Sequence, residues 1–571
     1  MNKKKIINII LLVLGIIVIL GMLGFFYKEI LPLLVTKRTK MVMAGAFGLM
    51  VAGWGYILCR TLGTGTSVLA QGQDVCSSPR CPAKEVCSSP EIIFTVLVII
   101  WGIVYQIVMP PLSGTDEWAH YTSAYYLSDK IMGTMSLDNE TDVTVYHYDG
   151  TFETVRSTKG LKTKNELPLL VMRKCDVPCA PPSLNFPQQY DNLSNGHIRA
   201  SAEEKELVGV QYTYYTPWIR YIPVGIGITL GRLLGLSGVL TLYLGRFMNT
   251  LLFLLIGLLT IKIIPFGKMQ VVSFSMLPVL LASVTSYTYD AISISLCMLV
   301  VAMCMHYSKE DVELKIWDVL FIVITFMFLV PNKGVYSLFA ILLFMIPFKK
   351  WKVAGQKTLE KTSGKIAAIV VVVSAIGIFV WKILPSFVTF FKIFGRSGGT
   401  TSEMVTDTEA WTLGYAMAHK EETALALVHT FTRYSWIHLK QVLGLQPGHH
   451  NLELKTPEVC IVLLLIVLIA SLVLQKGNRV PKKYRIIWNV TAFIVVIGIV
   501  AGCMVRFTPA GHSSIAVSYR YYLPVFMAGM LFYSTDEEAT ENAMRCIYLQ
   551  YLLLIPITCS ILYQILTFTF K

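Results

Sequence analysis

Two adjacent acids, Asp116 and Glu117, are the residues of this sequence best placed to do chemistry. They follow a double proline that ends an apolar stretch, so they lie just beyond a predicted membrane span. Carboxylates at this depth can accept a proton or bind Mg²⁺ or Mn²⁺, because these ions prefer oxygen ligands. The same acids would also favour the N-terminus of a helix through its dipole. The residues alone leave both interpretations open.

A short helix is predicted to start at these acids, because a serine and a threonine just before them can cap it. On such a helix, Asp116 and His120 are four residues apart and share a face. His120 is therefore a catalytic candidate, and a structural hydrogen bond is an equal alternative. The tyrosines that follow, Tyr121 and Tyr125, would form either an interfacial belt or a wall on which a sugar stacks.

Three cations near the ends of apolar segments are candidates for binding phosphate. Arg520 lies beside Tyr521 in SYRYYLP, and its planar guanidinium can bind two oxygens of one anion. The alternative is an arginine that extends to the interface between tyrosines. Lys333 and Arg220 lie between or before apolar segments and are also candidates for contacting substrate, with an ordinary loop role as the alternative.

Arg246 and Asp290 lie beside or within apolar segments, where a charge is costly to place. Such residues are expected to serve function, and we include both among the candidates for binding substrate. The alternative is that they pair with each other.

The composition identifies the elements that must position these side chains. The chain has 571 residues, of which 54% are hydrophobic and 15% charged, with a mean hydropathy of +0.59. These values exclude an ordinary soluble domain and predict an all-α polytopic membrane protein with 12 to 14 transmembrane helices. The apolar segments lie near 6–26, 41–59, 92–110, 218–236, 239–262, 271–288, 289–307, 316–331, 334–347, 366–385, 457–475, 486–505, 519–535 and 546–568.

Two long loops interrupt the apolar segments, at 111–217 and 386–456. The lysine-rich stretches 348–365 and 475–485 are predicted to be cytoplasmic, which places both long loops outside. The six apolar segments between 218 and 347 would then return the chain to the outside, which conflicts with the cytoplasmic position predicted for 348–365. One of these segments is therefore expected to fold back or lie in the interface. The net charge of +14 fits this arrangement and anionic headgroups, and no nucleic-acid-binding module is present.

Neither the cysteines nor the histidines have a convincing metal-binding spacing. Cys76, Cys81 and Cys87 share one polar loop without a nearby histidine, whereas Cys175 and Cys179 can form a local disulfide if their loop is outside. Six further cysteines in apolar runs are expected to be packing residues. The histidines with irregular spacing are His429, His438, His449 and His450.

The segment PPLSGTDEWAHYTSAYYLS (110–128) resembles the P-x-D-E-x-x-H-x-x-x-A-Y-x-L-S segment after an early span in a bacterial family of multipass membrane proteins. That family looks like the GT-C superfamily of membrane glycosyltransferases, which use polyprenyl-phosphate-linked sugars. Further stretches resemble the same family in the same order along the chain, although Tyr519 replaces an expected glycine. They are YTYYTPWIRYIPVGIGITLGRLLGLS (212–237), LYLGRFMNTLL (242–252), SYTYDAISISL (286–296) and SYRYYLPVF (518–526).

The resemblance implies a GT-C-like transmembrane core over 91–535. An N-terminal pair of spans with a cysteine-containing loop (1–90) precedes it, and a C-terminal span (536–571) follows it. It also implies Asp116 as catalytic base or metal ligand, with Glu117 second. The implied location is the bacterial plasma membrane. The implied partners are a polyprenyl-phosphate-linked sugar and, on the extracytoplasmic side, a glycan or other acceptor.

Two other functions remain open at this point. A flippase or transporter of a lipid-linked glycan would need ionisable residues along a path through the membrane, and Arg246 with Asp290 gives some support. A glycan polymerase or ligase would also use lipid-linked substrates and two large outside loops. The sequence contains neither a Walker A motif nor a dinucleotide-binding glycine motif, which argues against an ATP-driven pump.

Overall fold

The computed structural model describes most of the predicted core. It covers residues 3–63, 89–111, 113–114, 117–133, 142–146, 152–156, 170–173, 190, 199, 207–210, 218–359, 366, 411, 413–444, 454–536 and 540–568. The α-helices are α1 (Lys3–Phe25), α2 (Lys37–Gly63), α3 (Pro90–Val108), α4 (Glu117–Met132), α5 (Ile222–Leu233), α6 (Gly238–Ile263), α7 (Lys268–Ser275), α8 (Pro278–Val284), α9 (Asp290–Ser308), α10 (Ile316–Asn332), α11 (Phe348–Leu359), α12 (Leu413–Ala418), α13 (Lys420–Thr432), α14 (Ser435–Leu443), α15 (Glu458–Val473), α16 (Lys482–Phe507), α17 (Leu523–Phe532) and α18 (Glu541–Thr567).

Seven helices within these ranges are long and apolar enough to cross a bilayer: α1, α2, α3, α6, α9, α16 and α18. Three apolar elements are shorter, namely α10, α15 and the 3₁₀ helix Gly334–Met345. The multipass membrane architecture is therefore confirmed, while the described residues do not establish the predicted 12 to 14 spans. Segment 366–385 lies almost entirely outside the described residues.

Several predicted spans between 218 and 347 are short helices, and the described residues do not establish which of them cross the bilayer. Helix α5 has 12 residues and a length of about 18 Å, less than the ~30 Å hydrocarbon core. It packs antiparallel against α6 after a turn at Gly235, whose φ is 64°. The predicted span 271–288 is broken into α7 and α8, and Pro278 begins the second of them.

Helix α9 lies at the centre of the protein and is buried over nearly its whole length. It packs closely on α6 because Gly245 has no side chain, which leaves room for the Tyr287 hydroxyl to donate to the Leu242 carbonyl (2.7 Å). Asn249 donates to the carbonyls of Ser286 and Thr288 at 2.8 and 3.1 Å. These bonds fix the turn before α9 against α6.

The first long loop differs from the all-α prediction because it contains a small sheet. The strands are β1 (Asp142–Tyr146), β2 (Phe152–Arg156), β3 (Leu170–Arg173) and β4 (Leu207–Val210), in the order β2-β1-β4-β3. Strands β1 and β4 are parallel, and the other two pairings are antiparallel. Strands of four or five residues give little periodic signal, so the pattern of apolar residues did not reveal them.

Among the described cysteines, Cys297, Cys304, Cys503, Cys546 and Cys559 are buried, as expected of packing residues. Cys460 is half-buried. The predicted loop cysteines Cys76, Cys81, Cys87, Cys175 and Cys179 lie outside the described residues.

Candidate functional site

A fully buried ion pair joins the start of α4 to α6. The guanidinium of Arg246 donates from Nε to Glu117 Oε1 (2.8 Å) and from Nη2 to Oε2 (2.7 Å), which is a bidentate pair. The two side chains are 1% and 0% exposed. The alternative that Arg246 pairs with Asp290 is therefore wrong, since each of them has other partners.

The remaining acceptor sites of Glu117 are also occupied. Oε1 accepts the backbone N–H of Tyr287 (3.2 Å), and Oε2 accepts that of Gly114 (3.0 Å). A carboxylate offers about four lone-pair sites, and all four have protein donors. A role for Glu117 in binding a metal or a proton would require the loss of one of these contacts.

Arg246 also completes the end of α3. Its Nη1 and Nη2 donate to the carbonyls of Met109 and Pro110 at 2.8 and 2.9 Å. Carbonyls at a helix end have no partner within the helix, and the double proline prevents its continuation. The pair thus fixes the point at which the chain leaves α3 and enters α4, next to Asp116.

A second group of charges surrounds Asp290, the first residue of α9. Lys333, which follows α10, contacts Oδ1, and Arg520, which precedes α17, places Nε 3.4 Å from Oδ2. The Arg520 contact is longer than the 2.7–2.9 Å of a close charge-assisted bond. One carboxylate thus bridges two cations from separate parts of the chain.

The ring of Tyr289 brings a third cation and a histidine to this group. The guanidinium of Arg220 lies 4.6 Å from the ring centroid, and Lys333 lies 5.5 Å from it. Arg220 also donates from Nε to the Pro331 carbonyl (2.8 Å), near the C-terminal end of α10. The ring of His120 meets Tyr289 edge-on at 5.0 Å.

We call Asp290, Lys333, Arg520 and Arg220 the cationic cluster. The side chains of Lys333 and Arg520 are 10% and 12% exposed and that of Asp290 is 4% exposed, so the cluster is largely buried. Burial lowers the pKa of Lys333 to about 8, and Asp290 partly opposes this shift. At neutral pH the four side chains therefore carry a net charge of +2.

The predicted aromatic residues have different environments. Tyr521 lies in the cationic cluster, since Lys333 is 4.0 Å from its ring centroid. Burial raises the pKa of the Tyr521 hydroxyl, which is therefore neutral over the physiological range. Tyr121 and Tyr125 are buried and pack edge-on against each other, so neither forms an open wall for a sugar.

His120 and Tyr289 lie beside the cationic cluster. His120 Nδ1 lies 2.9 Å from the hydroxyl of Tyr221, which orients the imidazole. Tyr289 contacts two cations and His120, yet the sequence prediction did not include it. Its position next to Asp290 in SYTYD was the available signal.

The structure leaves the predicted metal site untested. Asp116 lies outside the described residues, as do His449 and His450. Within the described ranges, no group of three potential ligands of the His, Cys, Asp or Glu type is present. His429 contacts the Ser513 carbonyl (3.2 Å), and His438 packs against Tyr522.

The sequence model of a family described as "Predicted membrane protein (DUF2142)" matches residues 99–528, which is most of the chain. The chain belongs to this family. In this DUF2142 protein, the Glu117–Arg246 pair and the cationic cluster both lie inside the matched segment, whereas α1, α2 and α18 lie outside it. No curated protein and no solved structure matches the chain.

Proposed function

We propose that this protein is an integral-membrane glycosyltransferase of GT-C type in the bacterial plasma membrane. It moves a sugar from a polyprenyl-phosphate-linked donor to a glycan or another acceptor on the extracytoplasmic side. The observation that supports this most directly is the cationic cluster, in which Lys333 and Arg520 contact the carboxylate of Asp290 and Arg220 lies over the neighbouring ring of Tyr289. Such a site suits an anionic phosphate, because glycosyl transfer builds negative charge on the leaving phosphate.

Helix ends give the cluster a suitable depth. Asp290 begins α9, Lys333 follows α10 and Arg520 precedes α17. A lipid-linked phosphate lies at the headgroup level, where such ends are expected. The Glu117–Arg246 pair fixes the chain next to Asp116, which is proposed to take the acceptor proton or bind Mg²⁺ or Mn²⁺.

The test uses the full-length protein in lipid nanodiscs with labelled polyprenyl-phosphate-linked sugars from a bacterial lipid extract. We expect sugar transfer by the wild type and a loss of about a hundredfold or more in Arg520→Gln and Asp116→Asn. Lys440→Gln is the control, because Lys440 belongs to an exposed ion pair.

Thermal unfolding of each variant separates a lost activity from a lost fold. Equal transfer by wild type and Arg520→Gln would remove the cluster from the reaction. If no donor in the extract supports transfer, the proposed activity is wrong. Movement of the lipid-linked glycan across the bilayer would then indicate a flippase.

A further inference from the structure

One aromatic ring, that of Tyr289, lies among the charged side chains of the cationic cluster. The guanidinium of Arg220 is 4.6 Å from the ring centroid, and the ammonium of Lys333 is 5.5 Å from it. Both distances lie within the ~6 Å over which the face of a ring attracts a cation. Arg220 belongs to the 3₁₀ turn Trp218–Tyr221 and Lys333 follows α10, so one ring at the start of α9 meets cations from two other segments.

Two neighbouring rings support Tyr289. The rings of His120 and Tyr221 pack nearly perpendicular to it, with centroids 5.0 and 6.3 Å away and interplanar angles of 76° and 83°. The Tyr289 carbonyl accepts the backbone N–H of Ser293 (3.1 Å) in the first turn of α9, which fixes the main chain. Perpendicular aromatic contacts are favourable and directional, so the protein itself sets the orientation of this ring.

An aromatic face and a carboxylate hold a cation in different ways. Asp290 places a negative charge next to Lys333 and Arg520, which opposes the binding of an anion there. The ring of Tyr289 attracts a cation through its quadrupole, and it adds no net charge. The ring can therefore hold a cation in place without reducing the attraction of that cation for a phosphate.

The position of the ring also strengthens these contacts. Tyr289 and Arg220 are partly buried, and the side chain of Lys333 is 10% exposed. A cation is held more strongly over a ring when it is desolvated than when it is exposed. Lysine and arginine have many rotamers, so fixing them before the ligand arrives lowers the entropy lost on binding.

We propose that Tyr289 is a positioning residue of the phosphate site, and that the face of its ring holds Arg220 and Lys333 in place for the anion. This inference rests on the proposed function, and it adds a residue that acts through the cations rather than on the substrate. It concerns the ring face and not the hydroxyl, so the two parts of the side chain can be tested separately.

The first comparison separates the ring from its hydroxyl. Farnesyl phosphate, a soluble isoprenoid phosphate without a sugar, is titrated at neutral pH into the full-length protein in nanodiscs of uncharged lipid, with calorimetry as the readout. Tyr289→Phe keeps the ring, and we expect its affinity to stay within about threefold of that of the wild type. Tyr289→Leu keeps a large apolar side chain without a ring face, and we expect its affinity to fall about tenfold.

The second comparison weakens the ring face at almost constant shape. Mono-, di- and trifluorinated phenylalanine are introduced at position 289 by suppression of a stop codon. Fluorine withdraws electron density from the ring and reduces its attraction for a cation. We expect the affinity for farnesyl phosphate to fall with each fluorine, to about tenfold below Tyr289→Phe for the trifluorinated ring. A ring that served only to pack would give equal affinities across the series, and thermal unfolding checks that each variant is folded.

Removal of one cation tests whether the ring acts through it. In an Arg220→Gln background, we expect trifluorination at position 289 to cost less affinity than it does when Arg220 is present, because one of the two ring contacts is gone. Farnesyl phosphate has no sugar, so the loss cannot come from a sugar that stacks on the ring. Full additivity would show that the ring and Arg220 act independently and would contradict the proposal.

Tyr56 provides a matched control. The guanidinium of Arg60 lies 5.1 Å from its ring centroid, and both residues belong to α2, outside the segment matched by the family model. The same fluorinated residues at position 56 should leave the affinity for farnesyl phosphate unchanged, and an equal decline there would overturn the proposal. So would equal affinities along the Tyr289 series, an equal loss in Tyr289→Phe and Tyr289→Leu, or no measurable binding to the wild type.

The two proposals fail separately. A wild type that transfers no sugar, together with an affinity that falls along the fluorine series, would remove the glycosyltransferase proposal and retain the role of Tyr289 in an anion site. Sugar transfer with equal affinities along the series would do the reverse.

Discussion

Two groups of buried charges in this protein are built in different ways. Glu117 and Arg246 match one cation with one carboxylate, are nearly inaccessible and satisfy all four acceptor sites of the acid. In the cationic cluster, two cations that are 10% and 12% exposed contact one carboxylate, and Arg220 lies beside them over Tyr289. The closed pair of Glu117 and Arg246 links α4 to α6, whereas the cationic cluster has more cations than acids among its four side chains and is the site proposed to bind an anion.

The largest effect is expected from removing the cation of the closed Glu117–Arg246 pair. Arg246→Met leaves Glu117 buried without its counter-charge and the carbonyls of Met109 and Pro110 without their donor. We expect the free energy of unfolding to fall by about 3–5 kcal/mol. Equilibrium unfolding in mixed detergent micelles measures this directly.

Two further variants control that measurement. The double variant Glu117→Gln with Arg246→Met should recover part of the loss, since no unpaired charge remains. Lys440→Met removes a cation from an exposed pair and should cost less than about 1 kcal/mol. A cost below about 1 kcal/mol for Arg246→Met itself would show that the closed pair does not hold the structure together.

The contrast between the two groups also shows what the sequence could predict. Charges in apolar segments are visible in the sequence, so Arg246, Asp290 and Glu117 could all be selected as candidates. Their partners could not be selected, because Glu117 and Arg246 are 129 positions apart and Lys333 is 43 positions from Asp290. Only the packing of α4, α6, α9 and α10 decides which charges meet.

The same limit applies to the fold. Long apolar runs predicted the spanning helices α3, α6 and α9. A run of about twenty apolar residues in a bilayer must satisfy its backbone hydrogen bonds internally, and a helix does this. Runs of similar hydropathy became short or broken helices where a proline or a close helix contact intervened, as at α7 and α8. Hydropathy alone does not distinguish these cases.

A glycine contact connects the two groups of charges and offers a second test. A Cβ at Gly227 of α5 would lie 2.7 Å from the Cα of Gly245, the residue before Arg246. Because the clash is with backbone, Gly227→Ala must separate α5 from α6. We expect a cost of about 1–3 kcal/mol in the free energy of unfolding, measured as above.

The matched control for this change is Gly48→Ala in α2, where a Cβ would meet nothing within 4 Å. Alanine favours a helix over glycine by up to about 1 kcal/mol, so Gly48→Ala should be neutral or stabilising. Since α5 begins two residues after Arg220, Gly227→Ala should also weaken binding of farnesyl phosphate, a soluble phosphate monoester, to the cationic cluster. Unchanged stability and unchanged binding would show that the two groups are not mechanically connected through this contact.

The smallest expected effect is a pH dependence of the cationic cluster, which, unlike the Glu117–Arg246 pair, contains a lysine. The groups that face this lysine, Lys333, are Asp290, Arg520, Arg220, Tyr289 and Tyr521. With a folded-state pKa of about 8, Lys333 loses its charge as the pH rises from 7 to 9.5, while farnesyl phosphate stays a dianion. We expect its affinity to fall by up to about tenfold over this range.

The sign of the stability change is opposite to that of binding. Burial lowers the pKa of Lys333 from 10.5, so between pH 8 and 10.5 the unfolded chain binds more protons than the folded protein. The contribution of Lys333 to stability therefore increases with pH across this window, even as phosphate affinity decreases. Lys333→Arg keeps its charge throughout, because a guanidinium has a pKa above 12, and should abolish both trends. If affinity falls equally in wild type and Lys333→Arg, another group is titrating, and Lys333 is not the cation that responds to pH at this site.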